Sequence, residues 1–407
     1  MRSLFSHFSI IKYLLFYSIV FFSTSSYTQS YFPPISGTSW DTLSPSNLNW
    51  CKENIDTLIN FLELTNTKSF IILKDGKIVL ENYLNGHSDT TYWYWASAAK
   101  SLMAVIVGKA QEEGYLNIED STSKYIGSGW TSCSSSHERN IKIKHQLMMT
   151  TGINDFGIDL NCIDDTCLFF LDTPNSRWAY HNAPYLLLRD VVESATGQGI
   201  NMYINQKLNS QIGMFGFFGV NNTNLFYSNT RSMARFGLLV LNQGKWNGSS
   251  IFNDSVYFNQ MINTSQPLNE SYGYLWWLNG KNSHMQPRIQ FTFTGSLNSN
   301  APLDMISALG KNGQIINIVP SKKMVIVRMG NDPDTNSLIS SLYNNQLWEY
   351  INKLECSSTN TNYVNSKYKK KVTRIIDPIG RNTSKSNILF YIYNDGTIEK
   401  KNNHKIR

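Results

Sequence analysis

The sequence lacks the short motifs that mark several common kinds of catalytic site. It contains no Gly-x-Ser-x-Gly turn, no His-Glu-x-x-His pair and no glycine-rich phosphate-binding loop. Its cysteines and histidines do not show the paired spacing of a zinc site, and no internal repeat is present. We therefore expect no metal, no nucleotide and no other cofactor.

A basic patch on the body of the protein is also missing. The formal net charge is +7, but residues 364–407 hold eleven Lys or Arg against three acidic residues. The body is therefore mildly acidic. Nucleic-acid binding would require positive charge on the folded domain itself, so we predict no nucleic-acid partner.

Long apolar runs are rare, and the clearest one lies near the N-terminus. Arg2 and Lys12 precede the apolar stretch 13–22, and small and polar residues follow to about residue 30. The run is short for a membrane span, and this order is typical of a signal peptide over residues 1–30. We predict export to the cell surface or medium, or to the periplasm, with no membrane span after signal removal. An uncleaved N-terminal anchor is the alternative.

The cysteines of an exported chain favour disulfides. Cys162 and Cys167 are close enough in sequence to close one loop, and a second bridge could join two of Cys51, Cys133 and Cys356. The sequence does not choose the pairing.

The order of apolar runs predicts an α+β body after a Pro/Ser/Thr-rich arm at residues 31–48. Strand-like runs flank an Asp-Gly turn at residues 75–76 and return at about 289–329, whereas the intervening segment at about 115–285 is mostly helical. We predict an antiparallel sheet flanked by helices with an inserted helical domain, all within residues 49–356.

Ser97-Ala98-Ala99-Lys100 opens a helix predicted over about 97–113. Positions i and i+3 lie on one face of a helix, so the hydroxyl of Ser97 and the amine of Lys100 would lie side by side. A serine nucleophile needs a neighbouring base, and burial can lower the pKa of a lysine enough for that task. The motif predicts a lysine-activated serine, although Ser-x-x-Lys also occurs by chance in many helices.

Tyr180-His181-Asn182 supplies further groups for such a nucleophile. Tyr180 could carry a proton from the nucleophile to the leaving group. The carboxamide of Asn182 could bond a substrate amide and hold the lysine in place. The alternative is an ordinary loop rich in aromatic residues.

A third segment precedes an apolar strand late in the chain. Lys311 could bind a substrate carboxylate, and Gly313 would let a substrate approach the strand closely. The N–H groups of Ser97 and Gln314 could form the two-donor oxyanion hole that acyl transfer requires. Read alone, the same residues predict a plain β-turn.

Ser-x-x-Lys, Tyr-x-Asn and Lys-x-Gly, in this order, resemble the class C β-lactamase and penicillin-binding-protein-like serine hydrolase family. Residues 145–152 resemble its Leu-Leu-x-His-Thr-Ser-Gly segment, and residues 234–239 with 244–246 resemble a later helix and turn. The resemblance covers about residues 50–355.

The resemblance implies a role for each matching residue. Ser97 would be the acylated nucleophile, Lys100 its general base and Tyr180 the proton relay. Asn182 and Lys311 would orient the substrate.

The third motif departs from that of true β-lactamases. Lys311-Asn312-Gly313 replaces Lys-Thr-Gly and so lacks a hydroxyl that helps to hold a β-lactam carboxylate. Gly-x-x-Gly-Gln before an apolar strand is more similar to the esterase and 6-aminohexanoate-dimer hydrolase branch. We expect a secreted hydrolase of a small-molecule or peptide-like amide or ester. A β-lactamase, a D-alanyl-D-alanine carboxypeptidase and a non-catalytic penicillin-binding-like module are the alternatives.

After a polar, basic linker at 357–371, residues 372–407 resemble the C-terminal sorting domain of type IX secretion cargo. Ile379-Gly380-Arg381 resembles its Leu-Gly-Arg strand, and Tyr393-Asn394-Asp395-Gly396 resembles its Tyr-x-Asp-Gly hairpin. The resemblance implies that secretion machinery is a partner. The last six residues differ from the usual ending, and a solvated basic tail is the alternative.

Overall fold

The structure, a computed structural model, describes residues 30–219, 225–333, 340–356, 371–394 and 398–402. Its α-helices are α1 (Lys52–Leu64), α2 (Ala99–Glu112), α3 (Ser123–Ile126), α4 (Ser135–Asn140), α5 (Ile143–Met148), α6 (Asn182–Leu186), α7 (Leu188–Thr196), α8 (Ile200–Ile204), α9 (Ser210–Ile212), α10 (Thr230–Leu241), α11 (Ser255–Met261) and α12 (Ser340–Ile351). Its strands are β1 (Thr67–Lys74), β2 (Lys77–Tyr83), β3 (Trp93–Tyr94), β4 (Gly216–Phe218), β5 (Phe226–Ser228), β6 (Lys245–Trp246), β7 (Ser249–Ser250), β8 (Trp277–Leu278), β9 (Ser283–Gln286), β10 (Ile289–Thr294), β11 (Ile306–Gly310), β12 (Gln314–Val319), β13 (Met324–Gly330), β14 (Val372–Ile376), β15 (Ile388–Tyr393) and β16 (Ile398–Asn402). The predicted signal peptide and most of the predicted linker lie outside the described residues.

An antiparallel sheet of six strands, in the order β2-β1-β13-β12-β11-β8, forms the centre of the body. Every residue of β12 and β13 is buried, so both faces of the sheet are covered there. Asp75 and Gly76 close the β1–β2 hairpin with positive φ angles of 51° and 83°, as an Asp-Gly turn requires.

Helices from several parts of the chain flank this sheet. Helix α10 packs on β1, β12 and β13, α1 packs on β1 and α12, and α2 packs on α7, α11 and β11. Gly108 in α2 allows a close approach of α11, because a Cβ there would lie 2.2 Å from a ring carbon of Tyr257. Helices α3 to α11 lie between β2 and β8 in the chain. The predicted fold class, a sheet flanked by helices, is confirmed.

Two disulfides are present. Cys162 bonds Cys167, and Cys51 at the start of α1 bonds Cys356, which lies beyond the end of α12 and 305 residues later in sequence. Cys133 is the free thiol of the described residues. The pairing that the sequence left open is therefore Cys51 with Cys356.

The described part of the C-terminal segment forms a three-stranded sheet, β14-β15-β16, beside the β9–β10 hairpin. A small apolar cluster joins the two units and consists of Ile289, Phe293, Ile376, Phe390 and Ile398. The predicted hairpin turn at Asp395 and Gly396 lies outside the described residues. Among the residues that the structure describes, no helix has the length and apolar character needed to cross a membrane.

Candidate active site

Ser97 lies in a 3₁₀ turn, Ala96–Ala98, that leads directly into α2. The α-helix predicted from about Ser97 therefore begins at Ala99, and Ala96, with a φ of +47°, keeps the backbone before the turn out of the helix. The preceding Trp95 is fully buried, and its ring N–H donates to the hydroxyl of Ser228 at 2.8 Å. These contacts fix the turn that carries Ser97.

Lys100 lies one turn further along and faces Ser97, as the spacing predicts. Its Nζ lies 3.0 Å from the Oγ of Ser97 and is 5.0 Å and 4.4 Å from the ring centroids of Tyr180 and Tyr185. The side chain is buried, and burial lowers the pKa of Lys100 from 10.5 to about 7. At neutral pH a large share of the Lys100 amine is therefore neutral and able to accept a proton.

Tyr180 also contacts the Ser97 hydroxyl, from the segment before α6. It forms a hydrogen bond with Ser97 that lowers its pKa, but burial has the larger effect and raises the pKa of the phenol above its ordinary value. Its ring stacks on Trp277, with centroids 5.7 Å apart and planes 22° apart. Tyr180 therefore stays protonated at neutral pH and can pass a proton onward while receiving another.

The end of β11 lies against the turn that carries Ser97. A Cβ on Gly310 would lie 2.4 Å from the carbonyl oxygen of Trp95 and 3.0 Å from the backbone nitrogen of Ala98. Any side chain at Gly310 would push the strand and the turn apart. The absence of that side chain is what brings Lys311, the next residue, to the site.

A cavity of about 150 Å³ opens between these elements. It is lined by Ser97, Tyr180, Trp277, Gln286, Pro287, Leu309, Gly310, Lys311, Ser340 and Ser341. Ser97 and Tyr180 therefore face one space together with an aromatic ring, a carboxamide and a cationic side chain.

Arg328 in β13 supports the turn at Lys311–Gly313 from behind. Its Nη1 donates to the carbonyl oxygens of Asn312 and Gly313 at 2.8 Å each, and its Nε donates to the hydroxyl of Thr67 at 2.9 Å. The guanidinium is fully buried, its pKa is lowered by burial, and it lies 4.5 Å from the ring centroid of Tyr343. Arg328 holds the end of the β11–β12 hairpin in place.

Gly313 has a φ of +69°, and a Cβ there would lie 2.5 Å from the Nη1 of Arg328. The glycine thus makes room for the guanidinium. Asn312 also has a positive φ, 64°, and its carboxamide donates to the Tyr94 hydroxyl at 2.7 Å.

Two predicted residues have side chains engaged elsewhere. Asn182 begins α6 and donates from its Nδ2 to the Oδ1 of Asn161 at 2.9 Å. Gln314 is fully buried, and its carboxamide bonds both backbone groups of Gly330, at 2.6 Å and 3.0 Å. The structure thus brings Ser97, Lys100, Tyr180 and Lys311 together. The Nδ2 of Asn182 and the carboxamide of Gln314 have other partners, whereas the buried Oδ1 of Asn182 has no partner among the described residues.

Sequence reasoning missed several residues of the site. Arg328 had one available signal, a cation within an otherwise apolar strand. Gln286 and Ser341 had none, because each lies in a polar stretch without a recognisable motif. Among the described residues, no group of three or more His, Cys, Asp or Glu side chains could hold a metal ion.

Comparison with known proteins gives a family match over most of the body. A sequence model of the family described as Beta-lactamase matches residues 67–343. An uncharacterised protein of Alkalihalophilus pseudofirmus is 24% identical over 301 residues, which are 65% of this chain and 83% of that protein.

Solved structures share the fold at low sequence identity. A proposed 6-aminohexanoate-dimer hydrolase from Bacillus anthracis superposes with a TM-score of 0.61 at 20% identity, covering 80% of this chain and 91% of that one. A proposed β-lactamase from Bacteroides dorei gives 0.59 at 16% identity, covering 75% and 99%. EstCE1, described as a hydrolase with promiscuous acyltransferase activity, gives 0.54 at 11% identity, covering 74% and 97%.

Proposed function

Since the chain belongs to the β-lactamase family of serine hydrolases, we propose that it cleaves an amide or ester bond through an acyl-enzyme on Ser97. The observation that carries this proposal is the 3.0 Å contact between the Nζ of Lys100 and the Oγ of Ser97. Burial gives that lysine a pKa of about 7, so it can act as a base at neutral pH.

Acylation begins when the neutral amine of Lys100 accepts the proton of the Ser97 hydroxyl. The oxygen of Ser97 then forms a bond to the substrate carbonyl carbon. As the tetrahedral intermediate collapses, the bond to the leaving atom breaks and Tyr180 donates its proton to that atom. Lys100 then returns its proton to the phenolate of Tyr180, so that both residues regain their starting protonation states. Water attacks the acyl-enzyme by the same route in reverse, releasing the acid and restoring Ser97.

The oxyanion of the intermediate needs two N–H donors. We propose the N–H of Ser97 as one, and Gln314 is the second donor predicted from the sequence. The close approach of Gly310 to the Ser97 turn favours the N–H of Lys311 as a further candidate for the second.

The proposed substrate is a small or peptide-like amide or ester. Lys311 and Leu309 line the cavity, and Asn312 stands at the position of the threonine of true β-lactamases, which supports a linear substrate over a β-lactam. Gly313, through its contact with Arg328, would keep Lys311 in position to bind an anionic group of the substrate. Asn182, which begins the short helix α6 after Tyr180, is proposed to help orient the substrate at the margin of the site.

Labelling and turnover together test this function. A fluorophosphonate probe should label wild-type protein and not the Ser97→Ala variant, and Lys100→Ala should slow labelling by about 10²–10⁴-fold. Turnover of short-chain nitrophenyl esters or of the 6-aminohexanoate dimer without turnover of nitrocefin is the expected pattern. Nitrocefin turnover would favour a β-lactamase. Labelling by a fluorescent penicillin without turnover would favour a binding module, and absence of labelling by either probe would contradict acylation.

We also propose that the protein is exported, with residues 1–30 as signal peptide and residues 372–407 as sorting tail. The two disulfides support an oxidising compartment. Deleting residues 372–407 should retain the protein in the periplasm of a host with type IX secretion. Equal amounts in the medium with and without the tail would contradict a sorting role.

A further inference from the structure

The cavity beside Ser97 contains a polar group that the proposed mechanism does not use. Gln286 lies at the end of β9, lines the cavity and is only 1% exposed. Its Oε1 accepts a hydrogen bond of 3.1 Å from the hydroxyl of Ser341, which is also buried. Within the part of the chain that the structure describes, the Nε2 of Gln286 donates to no acceptor. An amide donor that borders a cavity and has no acceptor in the protein is available to donate to a ligand there.

The hairpin that carries Gln286 is tied to the segment that carries Tyr180. Gln290, in β10, donates from its Nε2 to the carbonyl oxygen of Trp178 at 3.0 Å. The turn between the strands is tight, with Arg288 at a φ of +65°. The Gln286 carboxamide is therefore held at a fixed position relative to Tyr180.

The position of Tyr180 indicates which part of a substrate would meet Gln286. The phenol must lie beside the leaving atom in order to protonate it. Tyr180, Trp277 and Gln286 line one cavity, and the rings of Tyr180 and Trp277 stack along its wall. The leaving group therefore occupies the space that Gln286 borders.

We propose that Gln286 is a specificity residue that donates a hydrogen bond from its Nε2 to a carbonyl oxygen on the leaving group. Ser341 acts as a positioning residue by holding the opposite end of the carboxamide. The preferred substrates then have a leaving group with an amide-like carbonyl beside a short apolar part that packs on Trp277. This proposal rests on acylation of Ser97 and adds the chemical class of the leaving group.

The proposal also gives the carboxamide role to a different element of the fold. The sequence places that role on Asn182, but the Nδ2 of Asn182 already donates to Asn161. Gln286 reaches the cavity from β9, about one hundred residues later in the chain.

Two isosteric butyrate esters test the proposal on the full-length protein. The butyrate of glycolamide has an acceptor carbonyl in its leaving group, and isobutyl butyrate has methyl groups in its place. The ratio of their kcat/KM values should fall about tenfold in Gln286→Leu relative to wild type, the size expected for one lost hydrogen bond. Intrinsic reactivity of the esters cancels in this comparison. Ser341→Ala should lower the ratio by a smaller factor.

Controls separate this result from a loss of folding or of acylation. Gln206→Leu removes an exposed carboxamide outside the cavity and should leave the ratio unchanged. Gln286→Leu should keep fluorophosphonate labelling of Ser97 within about threefold of wild type. If that variant does not fold, Gln286→Glu has nearly the same shape, removes the donor and should also lower the ratio.

Three results would overturn the inference or its premise, and they are distinguishable. An unchanged ratio with normal labelling of Ser97 would refute the role of Gln286 and leave acylation standing. No labelling of the wild-type protein would refute the premise. The esters 4-nitrophenyl N-acetylglycinate and 4-nitrophenyl 4-methylpentanoate differ in the same way in their acyl groups. If Gln286→Leu changes the kcat/KM ratio of this pair only, the assignment of Gln286 to the leaving group is refuted.

Discussion

Replacing Tyr185 with glutamate should move the rising limb of the pH–rate profile to higher pH. The ring of Tyr185 lies 4.4 Å from the Nζ of Lys100, and the pKa of Lys100 is lowered from 10.5 to about 7 by burial. With this shift roughly half of the amine is neutral at pH 7, against roughly one part in 3,000 for an ordinary lysine. The free energy of deprotonating the amine is thereby lowered by about 5 kcal/mol. A carboxylate at this distance favours the charged amine and should raise its pKa by about 1–3 units.

The rate of fluorophosphonate labelling of Ser97 between pH 5 and 10 measures this effect. In the wild-type protein the rate should rise through an apparent pKa of about 7. In Tyr185→Glu it should be about 5- to 500-fold lower at pH 7, as a pKa rise of about 1–3 units implies, and should recover at high pH. Glutamine has nearly the same shape as glutamate without the charge, so Tyr185→Gln should keep the rising limb of the pH–rate profile near its wild-type position. A wild-type limb near pH 10, or identical limbs for the Glu and Gln variants, would refute the assignment of Lys100 as a base activated by burial.

Three further predictions concern stability and the geometry of the site. Lys100→Met should slow labelling by about 10²–10⁴-fold, as Lys100→Ala does, and should raise the Tm at pH 7. Between pH 7 and 10.5 the folded protein binds fewer protons than the unfolded chain, so wild-type stability should rise with pH in that window and the variant should lose this slope. An identical slope in both proteins would contradict burial of the amine as the cause. Arg328→Leu should lower the Tm by roughly 10 °C, because it leaves the carbonyl oxygens of Asn312 and Gly313 without their donor. A Tm within about 2 °C of that of the wild type would contradict this reasoning. Gly310→Ala should slow labelling of Ser97 at least about tenfold, since its Cβ would meet backbone atoms of Trp95 and Ala98. The circular dichroism spectrum should show that the fold is retained. An unaltered labelling rate would show that the strand and the turn can separate without effect on the site.

Local spacing explains why part of the site was predictable. Ser97 and Lys100 are three residues apart, and a helical turn brings such residues together whatever surrounds them. The Asp75-Gly76 hairpin follows from turn chemistry in the same way. Tyr180 was placed correctly beside them only through resemblance, since nothing local relates it to Ser97.

The rest of the site depends on long-range packing. Gln286 enters the cavity because β9 and β10 fold against residues near Trp178 and against the C-terminal strands, and no local pattern encodes that docking. Asn182 illustrates the same limit from the other side. Its position next to Tyr180 in the sequence predicts a shared site, and at the start of α6 its Nδ2 bonds Asn161 while its Oδ1 is buried without a partner among the described residues.

The bond between Cys51 and Cys356 makes the body a covalent ring. Both extensions of the chain leave this ring at nearly the same point, because the backbone of Trp50 pairs with that of Glu355. A protease that cuts any one peptide bond between the two cysteines therefore opens the ring without releasing a fragment. Such a nicked molecule should migrate as one species until a reductant separates its two parts.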